Sequence, residues 1–254
     1  AVIFAPGRDY DQSSLKKLDT FLSNNEKLGK SLVFVPNTQP DQIPELNSFL
    51  EEWGMSVGSG VMFELSTDHL YNNTTPFWSA AEYVDEDYSS VITNKSIPVS
   101  VMQSRPIEIL KESESIKVLL ESTENSGIYP VDAAEGWQPE ESDLTGPITL
   151  AAVSTKQVSG VDDVSNVAVV GSAAAFASSL LSSTSVNNSA YFINMFNTLA
   201  EREDTVLIEA KTLGGATMSV TTNVSIPLGV VFTIVLPLLI LVTGLVIWIR
   251  RRNR

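Results

Sequence analysis

The stretch Ser31-Leu-Val-Phe-Val35 is an unbroken apolar run, and Pro36-Asn37 closes it with turn-forming residues. Apolar runs of strand length that lack polar alternation are typical of strands buried on both faces of a sheet. A strand in that position needs helices packed above and below it. The run therefore predicts an α/β domain with a parallel sheet that helices cover on both sides.

The segments on either side of this run alternate between strand and helix. An apolar strand at Val2 to Ala5 precedes it, followed by apolar residues at helical spacing, namely Leu15, Leu18, Phe21 and Leu22, with Ser13 or Ser14 as the candidate cap. A second helix face follows it, formed by Ile43, Leu46, Phe49, Leu50 and Trp53. Further along, Pro147 to Val153 and Asn166 to Val170 predict two more buried strands. Such alternation is typical of βαβ units.

The folded domain is expected to span residues 1–220, and its least regular part lies between residues 66 and 146. Glu121 to Thr145 is acidic and rich in turn-forming residues, so we predict an exposed acidic loop over residues 121–145. Val206 to Ala210 and Thr217 to Val220 are predicted as the last strands. The chain opens in an apolar strand without a signal pattern, and we expect that it begins inside a larger protein.

An uncharged stretch, IPLGVVFTIVLPLLILVTGLVIWI, runs from Ile226 to Ile249. About 20 apolar residues are enough to cross the hydrocarbon core of a bilayer. We therefore predict one transmembrane helix over residues 226–249, joined to the domain by a short linker at residues 221–225. The alternative is a buried core helix, but core helices seldom run this long without a polar face.

Pro237 lies in the middle of this predicted helix, where a proline removes one backbone hydrogen bond and can bend the chain. In membranes, neighbouring helices usually satisfy such defects. Two interpretations stay open: a helix packed on a partner membrane protein, or a lone and slightly bent anchor. For the first, the candidate contact residues are Gly229, Thr233, Pro237, Gly244 and Trp248.

Four arginines follow the apolar stretch directly, namely Arg250, Arg251, Arg252 and Arg254. Basic residues concentrate on the cytoplasmic flank of a transmembrane helix, and the opposite flank of this one is uncharged. We therefore predict a cytoplasmic basic tail at residues 250–254. The bulk of the chain is then extracytoplasmic, anchored in the plasma membrane by a single pass.

The rest of the chain is strongly acidic and poor in metal-binding side chains. Apart from the four arginines it has 12 basic and 30 acidic residues, a net charge of −18 that repels nucleic-acid phosphates. There is no cysteine and only one histidine, His69, which excludes thiolate and histidine metal sites. The clusters at Asp85 to Asp87 and Asp162-Asp163 lack the alternate-position spacing of a calcium loop. We expect no metal, no cofactor and no nucleic-acid partner.

Signals for catalysis are absent from the sequence as well. Ser172 follows a predicted strand, yet the Gly-x-Ser-x-Gly pattern of a nucleophile elbow is missing. Neither a Walker motif nor a dinucleotide-binding glycine pattern occurs, so we predict that the chain is not an enzyme. In open α/β sheets, ligands bind beyond the carboxyl ends of the strands. The loops at those ends give a candidate binding edge of Arg8, Asp9, Asp11, Asn37 and Ser172.

Several segments, taken in order, resemble the gliding-motility-type, GldG-like auxiliary component of ABC transporters. Pro6 to Asp11 followed by Leu18 to Leu22 is similar to that family's P-x-x-D-Y … L-D-x-F-L segment. Asn166 to Gly171 resembles its late strand, and Asn188 to Asp204 is the most specific stretch. The family often carries an acidic pair after the late glycine, where this chain has Ser172-Ala-Ala, so no role of those carboxylates is carried over.

This resemblance implies a glutamine-amidotransferase-like α/β fold outside the cytoplasm. It also implies an accessory subunit that assembles with an ABC permease and an ATPase, its outside domain binding or guiding substrate or gating the permease. Two alternatives stay open. One is a membrane-tethered extracellular receptor or adhesion domain that acts without a transporter, and the other is a degenerate hydrolase of the cell envelope.

Overall fold

Successive side chains of the run Ser31–Val35 enter two different cores, as expected for a strand covered on both faces. Leu32 and Phe34 belong to one apolar cluster, whereas Val33 and Val35 belong to the other. All four side chains are buried. The run therefore lies inside a layered structure with a core on each side of its sheet.

The computed structural model describes residues 1–38, 43–71, 75–202 and 230–252. The chain divides into a larger unit, Ala1–Ala210, and a smaller unit, Lys211–Arg254. The strands predicted at residues 206–210 and 217–220, the linker at 221–225, Gly229 and Arg254 lie outside the described residues.

The elements of the larger unit follow the predicted alternation over its first third. Its strands are β1 (Val2–Phe4), β2 (Ser31–Val35), β3 (Met55–Val57), β4 (Val61–Glu64), β5 (Trp78–Tyr83), β6 (Val99–Met102), β7 (Ile107–Ile109), β8 (Ile116–Glu121), β9 (Ser126–Tyr129), β10 (Thr149–Lys156) and β11 (Ser165–Val170). Its α-helices are α1 (Gln12–Ser23), α2 (Pro44–Glu51), α3 (Glu86–Ser89), α4 (Ser178–Leu181) and α5 (Asn188–Leu199). Short 3-10 turns occur at Thr67–His69, Glu141–Asp143 and Ala174–Phe176.

Seven of these strands form one sheet in the order β1-β2-β11-β10-β8-β5-β6. Strands β1, β2 and β11 are parallel, whereas β10 is antiparallel to both β11 and β8, and β5 is antiparallel to both β8 and β6. The expectation of a parallel sheet is therefore correct for three strands and wrong for the other four. Residues 157–164 join β10 to β11 without a helix, and so short a connection permits only an antiparallel pair.

Helices cover both faces of the central strands. Helices α1 and α2 pack on the face that carries Leu32 and Phe34, and the buried side chains of α5 pack on the face that carries Val33 and Val35. Strand β11 alternates in the same way, with Val167 and Val169 on the first face and Ala168 and Val170 on the second. The larger unit is thus a mixed α/β structure of three layers.

The segment 121–145, predicted as an acidic loop, contains strand β9 and a 3-10 turn. Strand β9 pairs with β4 in antiparallel register, with Val61 opposite Tyr129 and Phe63 opposite Gly127. Ser126 and Gly127 are both buried, and such small residues allow the two backbones and the Phe63 ring to approach closely. Composition alone does not reveal this pairing, because serine and glycine are also turn-forming residues.

The smaller unit contains one apolar helix among its described residues. It begins with a π-helical turn at Val231–Val235 and continues as α6, Leu236–Arg252. In the π-helical turn the N–H of Leu236 donates to the carbonyl of Val231, one residue earlier along the chain than in an α-helix. This helix therefore departs from regular α-helical geometry at the turn that precedes Pro237.

The 22-residue helix Val231–Arg252 is long and apolar enough to cross a membrane. At the rise of an α-helix it spans roughly 33 Å, close to the thickness of the hydrocarbon core. The helix continues through Arg250 to Arg252, so these arginines lie in its last turn. Positive charge there interacts favourably with the negative end of the helix dipole. The guanidinium of Arg252 lies 5.5 Å from the centre of the Trp248 ring.

Gly171 provides a test of the packing at the end of β11. A Cβ atom at this position would collide with the carbonyl oxygen of Arg105 and lie 2.6 Å from Ser104 Oγ. We expect Gly171→Ala to lower the free energy of unfolding by roughly 3 kcal/mol, because the neighbouring backbone has to move. Urea denaturation of the full chain in detergent measures the change. Gly7→Ala is the matched control, since a Cβ there meets nothing within 4 Å, and equal effects of the two substitutions would contradict the packing.

Candidate binding cleft

The ribbon formed by β4 and β9 has two faces with different surroundings. On one face, Met62 belongs to the core cluster around α5 and Ile128 packs against that cluster. Val61, Phe63 and Tyr129 point to the other face, since side chains alternate along a strand and cross-strand partners share a face. A Cβ on Gly127 would lie 2.5 Å from the Phe63 ring, so this glycine makes room for the ring.

Four aromatic rings follow one another across that second face. The centre of the Trp137 ring lies 5.7 Å from that of Phe63 and 5.0 Å from that of Tyr129, and the Phe77 ring lies 5.6 Å from Tyr129. Each of these pairs has the edge-to-face geometry that aromatic quadrupoles favour. Trp137 thereby holds the segment after β9 against the ribbon.

An open cleft of about 910 Å³ lies over these rings. Its described lining residues are Asn37, Thr38, Val61, Phe77, Gln103, Tyr129, Trp137 and Gln138. This aromatic cleft lies beside the carboxyl end of β2, which is followed by Asn37, and the carboxyl end of β6, which is followed by Gln103. An apolar and aromatic floor with a few polar groups around it is the usual composition of a small-molecule site.

The segment Met102–Arg105 at the edge of the aromatic cleft is hydrogen-bonded at every residue. The carbonyl of Met102 accepts from Ser172 Oγ at 2.6 Å, and the N–H of Gln103 donates to the carbonyl of Phe77 at 2.8 Å. The carbonyl of Ser104 accepts from the N–H of Met62 at 2.8 Å, and the N–H of Arg105 donates to the carbonyl of Gly171 at 2.9 Å. These bonds join β4, the residue before β5 and the two residues after β11 to one short segment.

Gln103 itself has a backbone φ of 51°, in the left-handed region. For a residue other than glycine this conformation costs about 1 kcal/mol or more, and the bonds on either side of Gln103 hold it in place. The side chain is exposed at the cleft. Backbone strain of this kind often occurs at sites where a side chain needs a fixed direction.

Two carboxylates of the predicted binding edge cap helices. Asp11 is the N-cap of α1, and its Oδ1 accepts from the N–H of Ser14 at 2.7 Å. The prediction of a Ser13 or Ser14 cap was therefore wrong by a few residues. Asp9 accepts from the N–H of Glu45 at 2.8 Å and of Leu46 at 3.1 Å, so it caps α2 from a distant part of the chain. Both side chains link the β1 loop to helix N-termini.

The other predicted edge residues lie in different surroundings. Ser172 is buried, and its hydroxyl accepts from the N–H of Ala175 at 3.1 Å while it donates to Met102. Arg8 is exposed, and only Asn37 of the five residues is among the described residues that line the aromatic cleft. The structure thus brings Asn37 to the cleft, and it places Ser172 behind the segment that carries Gln103.

The acidic cluster at Asp85 to Asp87 is part of an ion-pair network. Lys117 Nζ lies 2.7 Å from Asp87 and 3.3 Å from Asp85, and Lys95 Nζ lies 2.6 Å from Glu86. The hydrogen bond from Lys117 lowers the pKa of Asp87 below its usual value. Over the described ranges, no group of three or more histidine, aspartate and glutamate side chains is placed to hold a metal ion. These pairs are largely exposed, so we expect them to add little stability.

The sequence contains one signal for the aromatic cleft that belongs to no motif. Trp137 lies between Gly136 and Gln138 in an acidic, turn-rich segment. If this segment were only an exposed loop, a large aromatic residue would have no role in it. A tryptophan in such a place indicates either a contact to the domain or a binding surface. Phe77, the second cleft aromatic, is separated from it by about sixty residues, and only the fold brings the two together.

Comparison with known proteins identifies a similar fold. No family model matches the chain, and no curated protein matches it significantly. Among solved structures, the "mmIFT52 N-terminal domain" is similar, with a TM-score of 0.56 and 14% sequence identity, over 81% of this chain and 78% of that chain. At this identity the similarity concerns the fold alone.

The cap at Asp11 generates a pH-dependent prediction. Hydrogen bonds from Ser14 and Ser13 hold the pKa of Asp11 below its usual 3.8. A lowered folded-state pKa means that the cap contributes fully above the unfolded pKa and is lost as the pH falls through the folded value. Asparagine caps equally well but does not ionise. We therefore expect Asp11→Asn to leave stability at neutral pH unchanged and to weaken its decline below about pH 4.

Urea denaturation across that acidic range measures this decline. Asp19→Asn is the control, because Asp19 is an exposed aspartate in the same helix. If the parent chain and Asp11→Asn lose stability with the same pH dependence, the cap does not titrate as described.

Proposed function

We propose that this chain is a non-enzymatic, membrane-anchored accessory subunit of an ABC transporter. Its larger unit lies outside the cytoplasm, where it binds or guides the transported substrate or gates the permease. The larger unit would have a glutamine-amidotransferase-like fold without that catalytic chemistry. A permease and an ATPase of the same transporter are the expected partners.

The observation that carries this proposal is the apolar helix Val231–Arg252, which follows an acidic α/β unit in the sequence. The side chains that the structure describes along this helix are exposed, including Leu241 at 66% and Ile240 at 65%. Exposed apolar surface of this extent needs lipid or another apolar partner. The ordered resemblance to the GldG-like family supports a transporter as that partner.

Two features of the helix favour a packed neighbour over lipid alone. The π-helical turn before Pro237 departs from regular α-helical hydrogen bonding, and neighbouring helices often satisfy such places in membranes. Gly244 has no side chain and lies at an exposed position of the helix surface. Small residues at such positions allow the backbones of two transmembrane helices to approach closely.

A second function, a membrane-tethered extracellular receptor or adhesion domain, is favoured by the aromatic cleft. A cleft with three half-buried rings that face it is able to bind a ligand without help from a second protein. The two functions differ in their partners: a receptor of this type purifies without an ATPase, whereas an accessory subunit does not.

The orientation is testable because the chain has no cysteine. A single cysteine introduced by Lys111→Cys, at an exposed position of the larger unit, is expected to react with a membrane-impermeant maleimide on intact cells or spheroplasts. Asn253→Cys, in the basic tail, is expected to react only after permeabilisation. The opposite pattern of labelling would place the larger unit in the cytoplasm and contradict the proposal.

Partner identity is tested by purifying the tagged full chain in mild detergent and identifying co-purified proteins by mass spectrometry. We expect an ABC permease and ATPase in a fixed ratio. Gly244→Leu should reduce the recovered permease about fivefold or more, because the new side chain occupies the space available to a neighbouring helix.

Ile247→Leu, a volume-conserving change at another exposed position of the helix, is the matched control and should leave recovery unchanged. Purification of the chain alone from several detergents would overturn the transporter proposal and make the tethered receptor the leading function. Equal recovery with Gly244→Leu would show that the helix surface at Gly244 does not contact the permease.

A further inference from the structure

Three aromatic rings of the aromatic cleft meet nearly at right angles. The planes of Phe77 and Tyr129 are inclined at 87°, and those of Tyr129 and Trp137 at 88°. All three side chains are half-buried, so one part of each packs on protein while another part faces the cleft. Such rings offer flat apolar surfaces in fixed orientations.

The polar side chains around the rings are neutral. Thr38, Gln103 and Gln138 carry hydroxyl or amide groups, which both donate and accept hydrogen bonds. The described residues that line the aromatic cleft include no carboxylate, ammonium or guanidinium group. The lining therefore suits a ligand that combines an apolar face with a rim of neutral hydrogen-bonding groups.

Charge distinguishes between the ligand classes that aromatic rings can bind. The chain outside its arginine tail carries a net charge of −18, which disfavours phosphorylated and other anionic ligands. A quaternary ammonium ion is attracted by ring faces, but it has no groups that use the amides of Gln103 and Gln138. A pyranose ring has C–H groups on its faces and hydroxyl groups at its rim, and both match this lining.

The cleft is also prepared for binding before any ligand arrives. Gln103 is fixed by backbone hydrogen bonds to Phe77 and, through its neighbours, to Met62 and Ser172. Trp137 is fixed by two edge-to-face contacts. A preorganised site loses less conformational entropy on binding. The volume of about 910 Å³ is at the upper end for small-molecule sites and exceeds the needs of a single sugar ring.

We infer that the aromatic cleft binds a neutral oligosaccharide, with Trp137 and Tyr129 packing on sugar ring faces and Gln103 and Gln138 bonding to hydroxyl groups. The inference goes beyond the proposed function, because binding in this cleft does not require assembly with a transporter. Failure of the transporter proposal in the purification experiment would leave the inference intact.

The test is isothermal titration calorimetry of the full chain with neutral trisaccharides: maltotriose, cellotriose, mannotriose and N,N′,N″-triacetylchitotriose. The protein is kept in an oligo(ethylene glycol) detergent, because alkyl maltosides carry a saccharide and phosphocholine detergents carry a quaternary ammonium group. We expect at least one trisaccharide to bind with a Kd below about 1 mM. Tetramethylammonium chloride is titrated in parallel and should not bind.

Variants of two cleft residues locate the site. Trp137→Ala should weaken binding about tenfold, and Trp137→Phe, which keeps a ring, should stay within about threefold of the parent chain. Gln103→Gly should weaken binding about fivefold without loss of thermal stability, because glycine adopts a φ of 51° without strain. Gln157→Ala is the matched control, since Gln157 is an exposed glutamine that does not line the cleft.

Each remaining outcome overturns the inference. It fails if no trisaccharide binds with a Kd below about 1 mM, or if Trp137→Ala and Gln103→Gly both bind as tightly as the parent chain. Binding of tetramethylammonium in the absence of saccharide binding would assign the aromatic cleft to a cation. Should Trp137→Ala unfold, Gln103→Gly still decides the question.

Discussion

Four consecutive residues, Met102 to Arg105, determine how the larger unit is assembled. Their peptide groups are bonded in turn to Ser172, Phe77, Met62 and Gly171, which belong to three separate parts of the chain. A buried backbone that made none of these bonds would cost more free energy than a marginally stable domain can tolerate. The close approach of Gly171 to Arg105 follows from this arrangement, since any side chain there would push the segment away.

The need of backbone N–H groups for hydrogen-bond partners also explains why acidic residues follow β1. The N-termini of α1 and α2 each leave N–H groups without partners inside the helix. Asp11 satisfies one of these ends locally, and Asp9 reaches the other across the chain. The two helices that cover one face of the sheet are thus connected to the loop between β1 and α1. Residues that resemble binding groups in the sequence serve here to hold the layers together.

Apolar periodicity was sufficient to predict the layered α/β architecture, because β2 and β11 are buried on both faces and α1, α2 and α5 each present one apolar stripe. It was not sufficient for strand direction: β10 is as apolar as a parallel strand, and only its short connection to β11 reveals antiparallel pairing. The aromatic cleft was even harder to predict from the sequence. Phe77, Gln103 and Trp137 lie far apart in sequence. The surroundings of Trp137 indicate a contact or a binding surface, but they do not indicate that Phe77 and Gln103 lie beside it. The apolar helix, by contrast, follows from length and composition alone.

The left-handed backbone at Gln103 affects which residues are favoured at this position during evolution. Glycine and asparagine adopt that conformation at lower cost than glutamine, so random substitution there drifts toward them while the fold is preserved. A long amide side chain is expected to persist there if its contribution to binding outweighs the strain. In related chains, the residue at this one position would therefore distinguish those that retain the ligand of this cleft from those that keep only its architecture.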